Sequence, residues 1–401
     1  MSKPFEGIRV IEVAAWTFVP VAGAMLADMG ADVIKVEPPT GDPQRGLQNL
    51  LNTSGRGANP FTEIPNRGKR SITLDLASEA GHGVLMRLIE NADVFLTSYL
   101  PEVRKKLRID VEHVRAANPN IVYARGSGWG NEGPMRNAGG YDLASAWATS
   151  GLADRLAIGR PEGPPPMPGA FFDLQGGNTI TGAIAAALFK RERTGEPSVV
   201  DVSLMNVGMW ALAPDIVGAP FLDRPAMPDR RAPGNPITNW YRTADDRWLY
   251  LVCLQGDRFW PEFCRTIERP DLIDDPRFAD AKVRFENREA CVAELDAVFA
   301  SRTLEEWKAK FANFSGVWAP ALKFKELHEH PQALANGYLP ELTSNDGITF
   351  RLVSSAMHFD ETPTTPAGPA PEIGQHTEMV LMDYGFGWDE IEAFRGKGAF
   401  G

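Results

Sequence analysis

Asp173 is the residue whose type and surroundings best suit covalent chemistry. It follows the apolar pair Phe171 and Phe172, and it opens a segment of small and apolar residues, 174–193, whose pattern predicts a long helix that ends at Gly195. The positive amino end of a helix favours an ionised carboxylate, so Asp173 can stay anionic at pH 7 and act as a nucleophile. The alternative is a structural role in which Asp173 only caps the helix.

Small and aromatic residues near Asp173 predict a substrate cavity. Gly176 and Gly177 are expected to leave room for a substrate. Five aromatic residues could line an acyl pocket, although core packing explains them equally well. These residues are Trp16, Phe18, Trp129, Phe171 and Phe172.

Two basic clusters interrupt an otherwise acidic chain. Residues 66–70 (NRGKR) precede one predicted strand, and residues 104–108 (RKKLR) follow another. Cations at strand ends of an open α/β sheet lie near ligand crevices and suit a phosphorylated cofactor. A solvated face is the alternative for both clusters.

Several common catalytic motifs are missing from the chain. Gly128, Gly130 and Gly133 have the GxGxxG spacing, but Pro134 follows and no helical period continues, so dinucleotide binding is disfavoured. No P-loop and no GxSxG nucleophile elbow occur. The histidines are scattered without a zinc-binding spacing, and we therefore expect no metal.

Composition excludes further classes of protein. The 401 residues suggest two or three domains, and 43% hydrophobic with 23% charged residues is the balance of a folded, water-soluble chain. A net charge of -11 argues against a nucleic-acid partner. Three cysteines without CxxC spacing, no basic leader and no apolar run of 18 residues predict a cytoplasmic protein that does not enter a membrane.

Alternating strand and helix patterns over the first 125 residues predict a mostly parallel sheet covered by helices on both faces. The expected fold is α/β, with a Rossmann-like open sheet in a large domain and a smaller α+β domain. Pro-rich segments mark the linkers. The predicted divisions are the large domain at 1–205 and 346–401, the small domain at 237–325, and linkers at 206–236 and 326–345.

Motifs spread along the chain resemble those of the class III CoA-transferases, the CaiB/BaiF family, which also contains α-methylacyl-CoA racemases. Together these motifs are specific, whereas any one alone is weak. They are residues 7–12 (GIRVIE), 26–37 (LADMGADVIKVE), 41–43 (GDP), 66–75 (NRGKRSITLD), 92–94 (ADV), 140–142 (GYD), the Asp173 segment, 193–195 (RTG) and 373–378 (IGQHTE).

The resemblance implies that Asp173 attacks a donor acyl-CoA, forming an aspartyl anhydride and then an aspartyl-CoA thioester that passes CoA to an acceptor acid. The racemase branch would need a histidine where Tyr141 stands and a glutamate where Gly256 aligns, so this alternative is disfavoured. Tyr141 is implied to close over the acyl group, or it is a packed core tyrosine. A non-catalytic CoA-binding homologue is the rival from another class.

The resemblance also implies the residues that contact CoA, which is a substrate rather than a tightly bound cofactor. Lys106 takes the position of a family arginine and offers a point charge without the bidentate fork. A glycine run typical of formyl-CoA transferases is missing from 229–236, which disfavours oxalate or formate. The implied CoA contacts are Thr17, Phe18, Lys69, Arg70, Leu74, Asp75, Leu76, Ala77, Ser98, Tyr99, Lys106 and Gly140.

Finally, the resemblance implies an interlocked homodimer, in which each chain threads through a ring made by the other. The two predicted linkers fit the long connections that such an arrangement needs. The expected partners are an acyl-CoA, a carboxylic acid and a second copy of the chain.

Overall fold

The computed structural model describes residues 3–50, 57–221 and 229–400. It divides the chain into a larger unit, Met1–Leu222 with Pro331–Gly401, and a smaller unit, Asp223–His330. The predicted linker 206–236 starts in helical structure of the larger unit, and its residues 222–228 lie outside the described residues. The predicted linker 326–345 spans the second boundary between the units.

The larger unit is built on a parallel six-stranded sheet. Its strand order is β3-β2-β1-β4-β5-β6, which is the order of the Rossmann fold. In this register Val10 on β1 lies beside Val33 on β2 and beside Val94 on β4. The strands are β1 Arg9–Val13, β2 Asp32–Glu37, β3 Arg70–Thr73, β4 Val94–Thr97, β5 Val122–Ser127 and β6 Val199–Ser203.

Helices connect these strands and cover both faces of the sheet. They are α1 Phe18–Asp28, α2 Leu47–Leu50, α3 Pro60–Asn66, α4 Glu79–Ile89, α5 Pro101–Lys106, α6 Val111–Ala117, α7 Leu152–Ala157, α8 Phe171–Thr194, α9 Leu204–Ala211 and α10 Ala213–Gly218. A single π-helical turn, Leu143–Ala148, precedes α7.

The smaller unit has a three-stranded antiparallel sheet and four α-helices around an aromatic core. Buried Trp260, Phe263, Phe299, Trp307 and Phe311 pack together in that core. The strands and helices are β7 Thr238–Arg242, β8 Trp248–Val252, α11 Gly256–Thr266, α12 Ala281–Glu286, α13 Arg288–Phe299, α14 Leu304–Phe311 and β9 Trp318–Pro320.

The chain then returns to the larger unit and completes its core. The returning elements are α15 Pro331–Ala335, the hairpin β10 Glu341–Thr343 and β11 Thr349–Arg351, the hairpin β12 His358–Phe359 and β13 Thr362–Pro363, α16 Thr377–Asp383 and α17 Trp388–Gly396. Because side chains alternate along a strand, Val10 faces the core under α1 and α8, and Ile11 faces the core under α4, α16 and α17. No helix among the described residues is long and apolar enough to cross a bilayer.

Helix α8 begins earlier than the sequence predicted. Ala170, in the left-handed region at φ 63°, is its N-cap, so Asp173 lies in the first turn. The interpretation of Asp173 as a cap is therefore wrong, and its carboxyl is not used in capping. Gly195, at φ 73°, ends the helix as predicted.

Gly176 and Gly177 serve the packing of α8 against α1. A Cβ at Gly176 would lie 2.3 Å from the ring of Phe18, and one at Gly177 would lie 2.6 Å from Val21 Cγ1. The two glycines thus let α8 and α1 approach closely, and the space beside them is filled by protein. The expectation that they leave room for a substrate is wrong.

Candidate active site

A cavity of about 310 Å³ lies beyond the carboxyl ends of β1, β4 and β5. In an open parallel sheet, ligands bind where the strand order reverses, which in this sheet is between β1 and β4. Asp173 reaches the cavity from the first turn of α8. The lining residues are Ala15, Trp16, Phe18, Ser98, Tyr99, Leu100, Val103, Gly126, Ser127, Gly128, Gly139, Gly140, Tyr141, Asp173 and Leu204.

Asp173 is half-buried, and two effects make its ionisation costly. Burial, together with the nearby carboxyl of Asp142, raises the pKa of Asp173 to about 7. A carboxylate with a raised pKa is more basic and hence a better nucleophile once ionised. Asp173 therefore combines access to the cavity with a raised pKa.

Asp142 is a site residue that the sequence interpretation did not select. It is buried, and burial raises its pKa, while the backbone N–H groups of Leu143, Phe172 and Asp173 oppose that rise. These N–H groups include two from the first turn of α8, where a helix attracts negative charge. In the sequence, Asp142 is the third residue of the GYD motif, and only Tyr141 of that motif was predicted to act in the reaction.

Tyr141 lies at the cavity with 59% of its surface exposed. Its ring meets the indole of Trp16 edge to face, with the ring centroids 5.5 Å apart. The interpretation of Tyr141 as a packed core residue is therefore wrong. Its ring is placed to cover a ligand together with Trp16.

Trp16 and Phe18 shape the floor of the cavity. Trp16 lies three residues after the end of β1 and has a φ of 70°, a left-handed conformation that is rare for a bulky residue. Phe18 is almost fully buried, and its ring fits between Gly126 and Gly176, where any Cβ would lie within 2.8 Å of it. One edge of the packed Phe18 ring lines the cavity.

The GSGWG and GGYD segments cross at the cavity with almost no space between their backbones. A Cβ on Gly128 would lie 2.9 Å from the Gly140 Cα, and one on Gly140 would lie 2.9 Å from the indole nitrogen of Trp129. That indole N–H donates to the Gly139 carbonyl at 3.1 Å. The close crossing fixes the position of Tyr141, the residue after Gly140.

The segment after β4 supplies three predicted CoA contacts. Ser98 Oγ accepts a hydrogen bond from the Ala15 backbone N–H at 3.0 Å, and Tyr99 lines the cavity beside it. Lys106 is exposed in the last turn of α5, three residues after Val103 on the cavity wall. Residues three apart on a helix share a face, so Lys106 extends the same side of the cavity towards solvent.

Lys69 and Arg70 are not brought to this cavity. Lys69 is buried, with its ammonium 2.7 Å from the Glu12 carboxylate. Arg70 lies at the amino end of β3, the opposite edge of the sheet, where it pairs with Asp32 and Asp383 at 2.6 Å each. Both cations are satisfied by protein carboxylates, which is a structural role for this basic cluster.

The remaining predicted contacts do not line the cavity. Thr17 is buried, and its carbonyl accepts the Val21 N–H at the start of α1. Leu74 is fully buried after β3, the Asp75 N–H donates to the Ala399 carbonyl, and Leu76 packs on the core. Ala77 donates its N–H to the Asp75 side chain at 3.0 Å.

The two phenylalanines before Asp173 lie in different surroundings. Phe172 is fully buried in the core, and Phe171 lines a different cavity, of about 760 Å³, between α8 and α9.

Among the described residues no group of three His, Cys, Asp or Glu side chains could hold a metal ion.

Comparisons with known proteins agree along nearly the whole chain. The model of CoA-transferase family III matches residues 5–377. The chain is 27% identical over 391 residues to an (R)-2-hydroxy-4-methylpentanoate CoA-transferase of Clostridioides difficile, covering 97% of this chain and 98% of that protein. It is 31% identical to a succinate–glutarate CoA-transferase of Agrobacterium fabrum, covering 95% of each.

The structure agrees as well. A CaiB/BaiF family protein from Brucella suis superposes with a TM-score of 0.81 at 26% identity, covering 96% of this chain and 100% of that one. The resemblance found in the sequence motifs is confirmed by this match and by the family model. The chain belongs to CoA-transferase family III and is an enzyme that transfers CoA.

Proposed function

We propose that Asp173 carries the CoA transfer as a covalent nucleophile. The observation that supports this most directly is the half-buried Asp173 carboxyl at the cavity, outside the capping bonds of its helix and with a raised pKa. A carboxyl placed in this way is free to react and is shielded from competing water. The route has four steps, and each is an acyl exchange.

In the first step an Asp173 oxygen attacks the thioester carbon of the donor. A C–O bond forms, the C–S bond breaks, and the CoA thiolate leaves an aspartyl anhydride. The thiolate then attacks the Asp173 carbonyl carbon, which releases the donor acid as its carboxylate and forms the aspartyl-CoA thioester. In the third step the acceptor carboxylate attacks the carbonyl carbon of the aspartyl-CoA thioester, which forms a second anhydride and releases the CoA thiolate. In the fourth step this thiolate attacks the acyl carbon of the acceptor, which forms the acceptor acyl-CoA and releases the Asp173 carboxylate. No water is consumed, and Asp173 ends as the free carboxylate.

The surroundings of Asp173 support this route in two ways. The amino end of α8 places backbone N–H dipoles beside the carboxyl, where negative charge develops on each tetrahedral intermediate. The rings of Tyr141 and Trp16 lie over the cavity and limit the access of water to the anhydride.

We place the thioester end of CoA against Gly140 and Ser98 in the cavity, and its phosphates towards Lys106. Gly140 and Ser98 line the wall, and Lys106 continues that wall at its exposed end. An ammonium at the mouth of the cavity attracts phosphates as a point charge. Lys69 and Arg70 are left out of this arrangement because their cations are paired within the protein.

The decisive experiment is intact-protein mass spectrometry after mixing the purified chain with a panel of acyl-CoA thioesters. The names of the two relatives suggest succinyl-CoA, glutaryl-CoA and a branched 2-hydroxyacyl-CoA as members of the panel. We expect a CoA or acyl adduct that peptide mapping places on Asp173, and no adduct on Asp173→Asn. Retained exchange in Asp173→Asn would refute the covalent route, and CoA binding without any exchange, unchanged by Asp173→Ala, would indicate a CoA-binding homologue without catalysis.

A second candidate function rests on the same raised pKa. A carboxyl with a pKa of about 7 also suits proton transfer at the α-carbon of an acyl-CoA, as in a racemase. The two functions differ in their products. Exchange of the α-proton with deuterated water, without formation of an adduct, would establish the racemase.

We also propose that the enzyme is an interlocked homodimer. Large apolar side chains stand exposed on the larger unit, among them Phe189, Trp210 and Phe221, which are 65%, 81% and 84% exposed. Exposed apolar groups of this size are typical of protein interfaces. Light scattering is expected to give twice the chain mass of 43.9 kDa. Tagged and untagged dimers are expected to exchange subunits only after unfolding, and exchange under native conditions would contradict the interlock.

A further inference from the structure

Four titratable side chains form a buried network beneath the cavity. They are Glu12 on β1, Lys35 on β2, Asp42 after β2 and Lys69 before β3, and none has more than 1% of its side chain exposed. Lys35 lies between the two acids, 3.3 Å from Glu12 and 2.9 Å from Asp42. Burial alone would lower the pKa of Lys35, but the charges of Glu12, Asp42 and Glu37 outweigh it and raise that pKa.

The ammonium groups of this network are fully paired. Lys35 donates to Glu12, to Asp42 and to the Ala14 carbonyl at 3.1 Å. Lys69 donates to both Glu12 oxygens and to the Pro20 carbonyl. Each ammonium has three N–H donors and finds at least three acceptors, so the positions of both carboxylates are fixed.

Asp42 connects this network to the cavity. Its Oδ2 accepts from Lys35, and its Oδ1 accepts from the backbone N–H of Trp16 at 3.1 Å. The same Oδ1 accepts from the Gln44 N–H at 2.9 Å, and the Asp42 N–H donates to Glu37. These contacts of the Asp42 carboxylate orient the oxygen that accepts from Trp16.

The conformation held by Asp42 is an unfavourable one. Trp16 has a φ of 70°, and a bulky residue keeps a left-handed conformation only where its surroundings enforce it. The Trp16 indole depends on that backbone for its direction into the cavity, where it meets the Tyr141 ring. Besides the bond of Lys35 to the Ala14 carbonyl, the network therefore reaches the acyl cavity through the Trp16 backbone N–H.

We propose that Asp42 is a positioning residue for the transfer reaction. Its ion pair with Lys35 holds the Trp16 backbone in the left-handed conformation and so sets the Trp16 and Tyr141 rings against the acyl group of the substrate. This role rests on the proposed reaction at Asp173. The substrate feature that the two rings recognise is the size and shape of the acyl chain, whereas the thioester end of CoA lies against Gly140 and Ser98 in the proposed arrangement.

The test compares Asp42→Asn with Asp28→Asn. Asparagine keeps the shape of the side chain and removes the charge that Lys35 needs. Asp28 is the matched control, because it is equally buried in the larger unit, where it pairs with Arg67 at 2.8 Å, and it does not line this cavity. Both variants remove the acid of a buried ion pair and are expected to lower the melting temperature.

Their kinetics are expected to differ. For a donor with a bulky acyl chain, Asp42→Asn should lower kcat/KM about 3- to 10-fold, the amount that one aromatic contact contributes, while the Kd of free CoA stays unchanged. Asp28→Asn should leave kcat/KM and the preference between a bulky and a short acyl donor unchanged. Equal effects of the two variants on acyl preference would overturn the proposal and leave Asp42 with a purely structural role.

A spectroscopic measurement decides the question independently of activity. In protein labelled with 5-fluorotryptophan, the ¹⁹F resonance of Trp16 can be assigned by its loss in Trp16→Phe. We expect this resonance to shift in Asp42→Asn and to stay in place in Asp28→Asn, and an unshifted resonance in both would overturn the proposal. Because this result needs no turnover, it stands even if no donor labels Asp173 and the proposed function fails.

Discussion

The Asp142 carboxyl lies against the backbone N–H of Asp173, and the two carboxyls influence each other's ionisation. Burial raises the pKa of both groups, and the charge of Asp142 raises the pKa of Asp173 further. Two interacting carboxyls titrate as a pair, so their protons leave in two coupled steps. This relationship sets the pH range in which Asp173 can attack a thioester.

The pH dependence of the reaction should therefore report this pair. Only the carboxylate form of Asp173 is nucleophilic, so kcat/KM is expected to rise with pH and to reach half of its maximum near pH 7. In Asp142→Asn the repelling charge is gone, and the rising limb should move to lower pH. Initial rates between pH 5 and 9 measure both profiles, and an unchanged limb in Asp142→Asn would contradict the coupling.

The same raised pKa makes a prediction about stability. Because the folded-state pKa of Asp173 lies above the usual value of 3.8, the folded protein binds a proton more tightly than the unfolded chain does. That contribution to stability is complete below about pH 4 and is lost as the pH rises to 7. Asp173→Asn is expected to be more stable than the native chain at pH 8, by about 2 to 4 kcal/mol. Urea unfolding at pH 5 and pH 8 measures the difference, which should be smaller at pH 5.

Substitutions at Tyr141 separate a covering role from a proton-transfer role. Tyr141→Phe keeps the ring that meets Trp16 and should change kcat less than about 3-fold, whereas Tyr141→Ala removes the aromatic pair and should cost about 10-fold. A hydrolysis assay adds a second measurement, because Tyr141→Ala should release more free acid from the anhydride. A large loss in Tyr141→Phe would instead indicate that the phenol moves a proton.

Replacing each of two glycines of α8 by alanine is expected to change the stability of the protein in opposite directions. A Cβ at Gly177 would lie 2.6 Å from Val21 Cγ1, so Gly177→Ala should destabilise the protein by about 1 to 3 kcal/mol. A Cβ at Gly182 meets nothing within 4 Å, so Gly182→Ala should stabilise the helix by about 0.5 to 1 kcal/mol. Denaturant midpoints compare the two variants, and equal effects would contradict the close packing of α8 on α1.

The proposed phosphate contact can be tested with neighbouring lysines. Lys106→Ala is expected to raise the KM for an acyl-CoA about 5-fold, because one exposed cation contributes about 1 kcal/mol to binding. The KM of this variant should also depend less on the salt concentration. Lys105→Ala removes the same charge from the adjacent position of α5, which faces another direction, and serves as the control. The same KM in both variants would show that net charge acts, and not a contact.

The elements with strong local signals were predictable from the sequence. Helix α8 ends at Gly195 as predicted, because a glycine can take the left-handed conformation that closes a helix. The parallel sheet followed from the alternation of strands and helices. In each case the information lies within a few neighbouring residues.

The candidate site was predictable only in part. The sequence identified Asp173 from its position near a helix start, but it could not show that Ala170, in a left-handed conformation, takes over the cap. Lys69 and Arg70 were predicted to contact CoA, but they pair with Glu12 and Asp32. These partners are 57 and 38 residues away in the chain, so the sequence does not show the pairing. Pairing over such distances depends on the fold and leaves no local pattern.

The return of the chain after the smaller unit has a consequence for biosynthesis. Residues of α16 and α17, with Ala399 and Phe400, complete the core on one face of the sheet, and the Ala399 carbonyl accepts the Asp75 N–H at 2.8 Å. A nascent chain emerges from the ribosome in sequence order, so the part of that face that α16 and α17 cover stays exposed while more than 150 further residues are translated. The smaller unit is continuous in sequence and can fold during this interval. The larger unit is thus begun first and completed last, and chaperones that bind exposed apolar surface can act on its incomplete sheet throughout this interval.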